Sequence, residues 1–223
     1  MILNNKTKKV RVGISLRVTN APNYDEKRDS LSQEWPQFLE SVDAIPIYIP
    51  NTLKDVTSFL ENVHVDSLIL SGGDNIGDNS ERDQTEQQII EYGIKNNIPI
   101  FGVCRGMQFI NSYFGGSIHK TANSIHVGVK HQIEILNSNL SSMLNKKLVE
   151  VNSYHYNIIS DNVLANNLKV FAVCNTDKTI EGFFHKDLPI IGVMWHPERD
   201  SNTTNHLILY NALHNPFYLK NKP

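Results

Sequence analysis

The segment Ile98-Pro-Ile-Phe-Gly-Val-Cys-Arg-Gly-Met-Gln108 decides the fold prediction for this chain. Its apolar first part predicts a buried strand, and the residues after Gly106 predict a helix. A cysteine between two glycines at a sharp strand-to-helix turn is the nucleophile-elbow pattern, with cysteine in place of serine. A helix N-terminus lowers a thiol pKa and points backbone N–H groups at a developing oxyanion. A tight turn around an inert buried cysteine fits the same pattern, so this segment alone leaves both interpretations open.

Short apolar runs alternate with amphipathic stretches around this segment, which is typical of strands and covering helices. The predicted strands of the first half are residues 10–16, 44–49, 65–70 and 98–103, and the predicted helices are 31–42, 53–63 and 82–96. Further β-rich segments are predicted at 126–136, 147–152, 168–174, 179–185 and 190–195, with a closing helix at about 202–214. The fold class predicted is therefore α/β, a central and mostly parallel sheet flanked by helices (flavodoxin-like) with added β-segments in the second half. Since no linker interrupts the pattern, we expect one domain over residues 1–223.

The composition excludes several classes of protein. With 223 residues, 40% of them hydrophobic and 20% charged, the chain can form a core without disulfides. A formal net charge of −2 gives no reason to expect nucleic acid as a partner. Cys104 and Cys174 lack the spacing of a disulfide framework or a cysteine zinc site. The polar N-terminus lacks a signal peptide's apolar core and no run reaches the roughly 20 apolar residues of a membrane helix, so we expect a cytoplasmic protein without a membrane partner.

A second segment, Ile190-Ile-Gly-Val-Met-Trp-His-Pro-Glu198, favours the catalytic interpretation of Cys104. This apolar strand ends in a histidine and a carboxylate two residues apart, and such positions of an extended chain project to the same side. Glu198 can then orient His196, and His196 can take the thiol proton, which completes a set of nucleophile, base and orienting group. The His-x-Glu pattern also begins a zinc deaminase signature, but the Pro-Cys-x-x-Cys that must follow is absent.

The segment Leu70-Ser-Gly-Gly-Asp74 ends the third predicted strand, so it should lie beside the elbow at the carboxyl edge of the sheet. Backbone N–H groups of Gly73 and Arg105 there could form an oxyanion hole. A solvent-exposed Gly-Gly turn is the alternative interpretation.

Together, Ser71-Gly-Gly-Asp, Gly102-Val-Cys-Arg-Gly-Met-Gln, Asn152-Ser-Tyr-His and Trp195-His-Pro-Glu resemble the class I glutamine amidotransferase-like superfamily, and most closely its gamma-glutamyl hydrolase branch, peptidase C26. Arg105 favours that branch, together with Asp83 and Glu86, because ammonia-channelling glutaminase domains usually carry Cys-Leu-Gly-His-Gln at the elbow. The resemblance implies the roles already given for Cys104, His196, Glu198, Gly73 and Arg105. The residues that it implies for substrate binding are Gly72, Gln108, Ser153, Tyr154 and His155, the backbone of Ser153 and Tyr154 being meant.

The reaction implied is hydrolysis of a gamma-glutamyl amide to L-glutamate through a glutamyl thioester on Cys104, with no metal and no organic cofactor. One branch of the family acts on gamma-glutamyl-CDP-amidate in capsule phosphoramidate synthesis, which is the most specific substrate the resemblance implies; a gamma-glutamyl-GABA-type amide is the other. The alternative is an assembly function instead of a free-standing hydrolase: a glutaminase subunit that delivers ammonia to a separate synthase chain. The sequence does not indicate an oligomeric state.

Two further features have alternative explanations. Arg17, Lys27 and Arg28 lie in a predicted loop at residues 17–29 and could hold a phosphate-bearing leaving group, or could simply be solvated. Glu181 could face the substrate ammonium or be a structural carboxylate at a strand end. The histidines other than His196 are scattered along the chain, and we expect none of them to be a ligand, with His155 as the one exception to follow because its strand should border the pocket.

Overall fold

A large mixed sheet covered by helices makes up most of the fold. The computed structural model describes residues 9–121, 124–200 and 202–219. Its strands are β1 (Val10–Ser15), β2 (Arg17–Asn20), β3 (Lys27–Ser30), β4 (Ala44–Ile49), β5 (Ser67–Leu70), β6 (Ile100–Val103), β7 (His119–Lys120), β8 (Val127–Ile135), β9 (Leu148–Tyr154), β10 (Asn157–Ile158), β11 (Leu168–Cys174), β12 (Ile180–His185) and β13 (Ile190–Val193). Its helices are α1 (Glu34–Ser41), α2 (Val56–Val63), α3 (Ser80–Asn96), α4 (Arg105–Tyr113), α5 (Ser138–Leu144) and α6 (Thr203–His214).

The main sheet has the strand order β4-β1-β5-β6-β13-β12-β11-β8-β9 over the described residues. The strands from β4 to β13 are parallel to one another, and those from β13 to β9 pair antiparallel. We call these the parallel part and the antiparallel part. Strand β13 belongs to both, because it runs parallel to β6 and antiparallel to β12. The carboxyl ends of β5, β6 and β13 therefore lie side by side, which is where open α/β sheets hold their ligands.

Apolar residues fill both faces of the sheet, as expected when helices cover both sides of parallel strands. One face packs against α1 and α6, and its core includes Trp35, Phe38 and Leu209. The other packs against α2, α3 and α4, and its core includes Leu60 and Ile110. Every residue of β5, β6 and β13 is buried, which explains their continuous apolar sequence.

The predicted α/β architecture is confirmed, and the added β-segments form the antiparallel part. Residues 17–29 were wrongly predicted to be a loop, because β2 and β3 form a hairpin there with Arg17 paired to Ser30. Helix α5 was not predicted, since its seven residues are too few to show a helical period. Residues 1–8 of the polar N-terminus lie outside the described part of the chain. Within that part, no helix has the length and apolar character needed to cross a membrane.

Candidate active site

Cys104 lies at the turn between β6 and α4, in a backbone conformation that non-glycine residues rarely adopt (φ 52°, ψ −106°). The flanking glycines make this turn feasible. A Cβ on Gly106 would lie 2.1 Å from the carbonyl oxygen of Leu70, and one on Gly102 would lie 2.8 Å from the carbonyl oxygen of Gly106. Helix α4 can therefore approach β5 and β6 only because both positions are glycine. The strained turn raises the cysteine above the sheet edge, as the elbow prediction required.

His196 follows the end of β13, the strand next to β6, so the sheet brings it to the same edge as Cys104. Its Nδ1 lies 2.7 Å from Oε1 of Glu198, and both side chains are buried. Asn152 fixes the His196 backbone, because its Nδ2 donates to the His196 carbonyl at 2.8 Å and its Oδ1 accepts from the His196 N–H at 2.9 Å. A proton on Nδ1 that is shared with Glu198 leaves Nε2 as the basic atom of the ring.

The backbone between His196 and Glu198 differs from the extended strand predicted. Residues 197–199 form a 3₁₀ turn instead of continuing the strand. Pro197, which sits at the start of this turn, brings the carboxylate back toward the ring, so the expected contact between His196 and Glu198 is reached through a turn.

The pKa values of Cys104 and His196 shift toward one another. Burial alone would raise the pKa of the Cys104 thiol, but the interaction with His196, the charge of His155 and the Arg105 backbone N–H lower it below the ordinary value. Burial alone would lower the pKa of His196, but Cys104 and Glu198 raise it to about 9. The pair therefore favours a thiolate and an imidazolium, which is the reactive state of a cysteine nucleophile.

The glycines after β5 lie against the same imidazole. A Cβ on Gly72 would lie 2.6 Å from Cε1 of His196, so a larger residue would displace the ring. Gly73 has a φ of 98°, a conformation that favours glycine. The buried Arg82 holds this loop by donating from Nη2 to the carbonyls of Ser71 at 2.8 Å and Gly72 at 3.0 Å. The loop therefore lies beside the elbow, where an oxyanion donor is needed.

Arg105 points its guanidinium away from the cysteine. The buried group pairs with Asp83 and Glu86, so its backbone N–H is the part that faces the thiol. Glu86 is fully buried and also binds Arg82, with 3.0 Å between Oε1 and Nε. Burial raises the pKa of Glu86, but Arg105 and Arg82 lower it below its ordinary value, so this carboxylate stays ionised between two arginines. Asp83 and Glu86 belong to the pattern that resembles the hydrolase branch, but their sequence positions did not predict that they hold the Arg105 guanidinium.

A cavity of about 270 Å³ opens above Cys104. Its lining residues are Gly73, Asp74, Asn75, Cys104, Arg105, Gln108, Tyr154, His155, Tyr156, Asn157, His196 and Arg199. A smaller cleft adjoins it and is lined by Arg17, Gly72 and Glu198 among others. Ser153 and Arg28 line neither of these two cavities: the Ser153 hydroxyl donates to the His126 carbonyl at 2.7 Å, and Arg28 pairs with Glu26.

Arg199 was not predicted, although it directly follows His-Pro-Glu in the sequence. It lines both cavities, and its guanidinium carbon lies 4.6 Å from the centre of the Tyr154 ring. Lys27 pairs with Glu81 at the surface, 3.1 Å away, so of the three predicted cations only Arg17 borders the cleft.

Glu181 is fully buried and does not line the cavity. The imidazoles of His126, His131 and His155 surround its carboxylate. Sequence reasoning missed this cluster because its residues come from separate segments, and no spacing motif joins them.

Comparison with known proteins defines the family. The family model described as Peptidase C26 matches residues 11–198. The chain belongs to the Peptidase C26 family. As a Peptidase C26 member it is 32% identical, over 205 residues, to the gamma-glutamyl-CDP-amidate hydrolase of Campylobacter jejuni, covering 89% of this chain and 94% of that protein. It is also 28% identical to anthranilate synthase component 2 of Saccharolobus solfataricus, covering 83% of this chain and 93% of that one.

The fold of this Peptidase C26 member agrees with solved structures. A putative GMP synthase subunit from Thermoplasma acidophilum superimposes with a TM-score of 0.69 at 24% identity, over 92% of both chains. A glutamine amidotransferase from Thermotoga maritima gives a TM-score of 0.61 at 18% identity, over 91% of this chain and 82% of that one. These likenesses confirm the class I glutamine amidotransferase-like fold predicted from the sequence.

Proposed function

We propose that this Peptidase C26 member is a cysteine-dependent hydrolase that releases L-glutamate from gamma-glutamyl amides. One observation carries the proposal: Cys104 on its strained elbow faces a buried His196 that Glu198 orients, at the floor of a cavity. The similarity to the Campylobacter jejuni hydrolase over most of both chains supports the same reaction class. In this proposal Cys104 is the nucleophile, His196 the acid–base group and Glu198 the positioning carboxylate.

The reaction follows from the charges at the site. The Cys104 thiolate attacks the gamma-carbonyl carbon, and backbone N–H groups of Gly73 and Arg105 bind the resulting oxyanion. The His196 imidazolium gives its proton to the departing nitrogen, so the C–N bond breaks and a glutamyl thioester remains. Neutral His196 then takes a proton from water, which attacks the thioester and releases glutamate and the thiol. The nucleophile, the proton donor and the oxyanion donors all come from the chain, so the proposed reaction needs no cofactor.

The cavity lining supports a substrate with an acidic amino-acid end and a charged leaving group. Gln108 and His155 are buried residues of the cavity lining and are suited to holding the glutamyl end. Arg199 and Tyr154 are more exposed residues of the same lining, and a cation beside an exposed ring suits a phosphate and a nucleobase. We therefore favour gamma-glutamyl-CDP-amidate over a gamma-glutamyl-GABA-type amide as the substrate.

A panel of substrates tests the proposal. Glutamate release is measured from glutamine, gamma-glutamyl-GABA and a nucleotide-linked gamma-glutamyl amidate, with the unmodified chain, Cys104→Ala and the matched control Cys174→Ala. We expect Cys104→Ala to lower kcat by about 10⁴-fold or more, because the nucleophile is lost. Cys174→Ala should keep activity, since Cys174 is buried in β11. Full hydrolysis by Cys104→Ala would refute the nucleophile assignment.

A second candidate is a glutaminase subunit that passes ammonia to a separate synthase. The similarity to anthranilate synthase component 2 supports it. The same panel separates the two candidates, because a free-standing hydrolase should turn over the amidate unaided. Weak activity on every amide, with glutamine preferred, would favour the glutaminase subunit instead.

A further inference from the structure

A buried cluster of three imidazoles and one carboxylate lies beside the candidate active site. Glu181 on β12 is fully buried, His126 precedes β8, and His155 follows β9. Nδ1 of His126 lies 3.7 Å from Oε1 of Glu181, and Nε2 of His155 lies 3.6 Å from the same oxygen. Among the described residues, these three inward atoms have no hydrogen-bond partner.

In His126 and His155, the outward nitrogen, which points away from Glu181, already has an acceptor. The inward nitrogen, which faces Glu181, can therefore act as an acceptor itself. Nε2 of His126 lies 2.8 Å from the carboxylate of Asp177, and Nδ1 of His155 lies 2.9 Å from the carbonyl oxygen of Asn157. When either ring is neutral, its outward nitrogen carries the proton and its inward nitrogen carries a lone pair, so a metal that binds there replaces the inward proton that gives His155 its charge. A histidine that binds a metal has this arrangement, in which its second N–H is donated to a carboxylate or a backbone carbonyl.

The separations also fit a cation better than hydrogen bonds. A distance of 3.6 or 3.7 Å is too long for an N–H···O bond. Two ligand atoms about 2.1 Å from a tetrahedral zinc ion are about 3.4 Å apart, so each of these two contacts with Glu181 needs a contraction of only a few tenths of an ångström. The three atoms also lie within 4.8 Å of one another. A buried carboxylate needs a positive partner, and a divalent ion among these rings would supply that charge to Glu181.

We propose that His126, His155 and Glu181 form a structural site for a divalent transition metal of the zinc class. Imidazole nitrogens and one carboxylate are ligands that Zn²⁺ and its neighbours accept. His131 is a further donor, since its Nε2 lies 3.6 Å from the second oxygen of Glu181. The metal joins the start of β8, the end of β9 and the edge of β12, and so fixes His155 at the cavity wall. This site shares His155 with the wall of the hydrolytic cavity, and it contradicts the expectation that these histidines are not ligands.

Metal titration of the whole chain tests the proposal. Cys104→Ala serves as the parent protein, because Cys104 and His196 are themselves able to bind zinc. After treatment with a chelator and dialysis, Zn²⁺ binding is measured by calorimetry and Co²⁺ binding by its visible absorption. We expect one equivalent of either ion to bind and a Tm increase of about 5 to 10 °C at a hundredfold excess over Kd. Failure of the parent protein to bind one equivalent would overturn the proposal without any further variant.

Variants in that background locate the ion. His126→Asn and Glu181→Gln should lose stoichiometric binding, and Asp177→Asn, which removes only the outer partner of His126, should weaken binding about 10- to 100-fold. His119→Asn, at an exposed histidine on β7, is the matched control and should bind as the parent does. Circular dichroism checks that each variant is folded. Unchanged binding by folded Glu181→Gln and His126→Asn would show that protons, and not a metal, occupy this cluster.

Discussion

The parallel and antiparallel parts of the sheet each supply one polar centre, and the two centres are assembled in different ways. Cys104 is held by a single turn, in which Gly102 and Gly106 allow α4 to pack against β5 and β6. The cluster around Glu181 is held by strand pairing, which brings together segments that lie far apart in the chain. A local motif can therefore specify the first centre, whereas only the tertiary fold specifies the second.

A change at Gly106 tests how strictly the first centre depends on close packing. We expect Gly106→Ala to lower the free energy of unfolding by about 3 kcal/mol, because the new Cβ would meet the Leu70 carbonyl oxygen. The matched control is Gly115→Ala, where φ is 90° but nothing lies within 4 Å of the new Cβ, so backbone strain of about 1–2 kcal/mol is expected. Urea-induced unfolding measures both changes, and equal losses would contradict the packing explanation.

The titration of His196 tests whether its ring is coupled to the thiol of Cys104. Cys104 raises the pKa of His196 to about 9, so Cys104→Ala should lower this pKa and move loss of the ring proton to lower pH. Cys174→Ala, in the antiparallel part, should leave it at about 9. NMR of the imidazole nitrogens against pH measures both variants. The expected alkaline limb of kcat/KM in the unmodified chain also lies near pH 9, because His196 must hold a proton for the leaving group.

If another group controls the fall in kcat/KM at alkaline pH, the pKa of that fall will differ from the pKa of His196 measured by NMR. An identical pKa for His196 in Cys104→Ala and in the unmodified chain would show that the thiol and the ring do not interact.

The smallest expected effect concerns the rim of the cavity. Arg199→Gln should raise KM for a nucleotide-linked gamma-glutamyl amide by about 3- to 10-fold, because one exposed cation contributes little to binding. Arg28→Gln on the hairpin should leave KM unchanged, since Arg28 pairs with Glu26. KM for glutamine is the control in both variants. Equal increases in KM for the two variants would contradict this assignment and would indicate that the hairpin of β2 and β3 also binds the phosphate.

The sequence was sufficient to predict the parallel part of the fold. Its central strands are short and mostly apolar, because helices cover both faces of the sheet there, and its helices have a clear period. The contact between His196 and Glu198 was predicted because the two residues are close in sequence, although the turn at Pro197 was not. The side-chain neighbours of Glu181 were not predictable, since strand register across the antiparallel part decides which histidines meet. The position of Arg199 over Tyr154 likewise depends on that register.

The position of Glu86 between two arginines limits how this elbow can change by substitution. Replacing Arg105 with the leucine that glutaminase elbows usually carry would leave Asp83 without this partner and would remove one of the two arginines that pair with Glu86. A buried carboxylate that loses a cation is strongly destabilising, whereas removing both charges together is tolerated far better. Positions 83, 86 and 105 therefore form one epistatic unit. A route between the two kinds of elbow must therefore change the arginine and its carboxylate partners together, because either charge left alone would be buried without its partner.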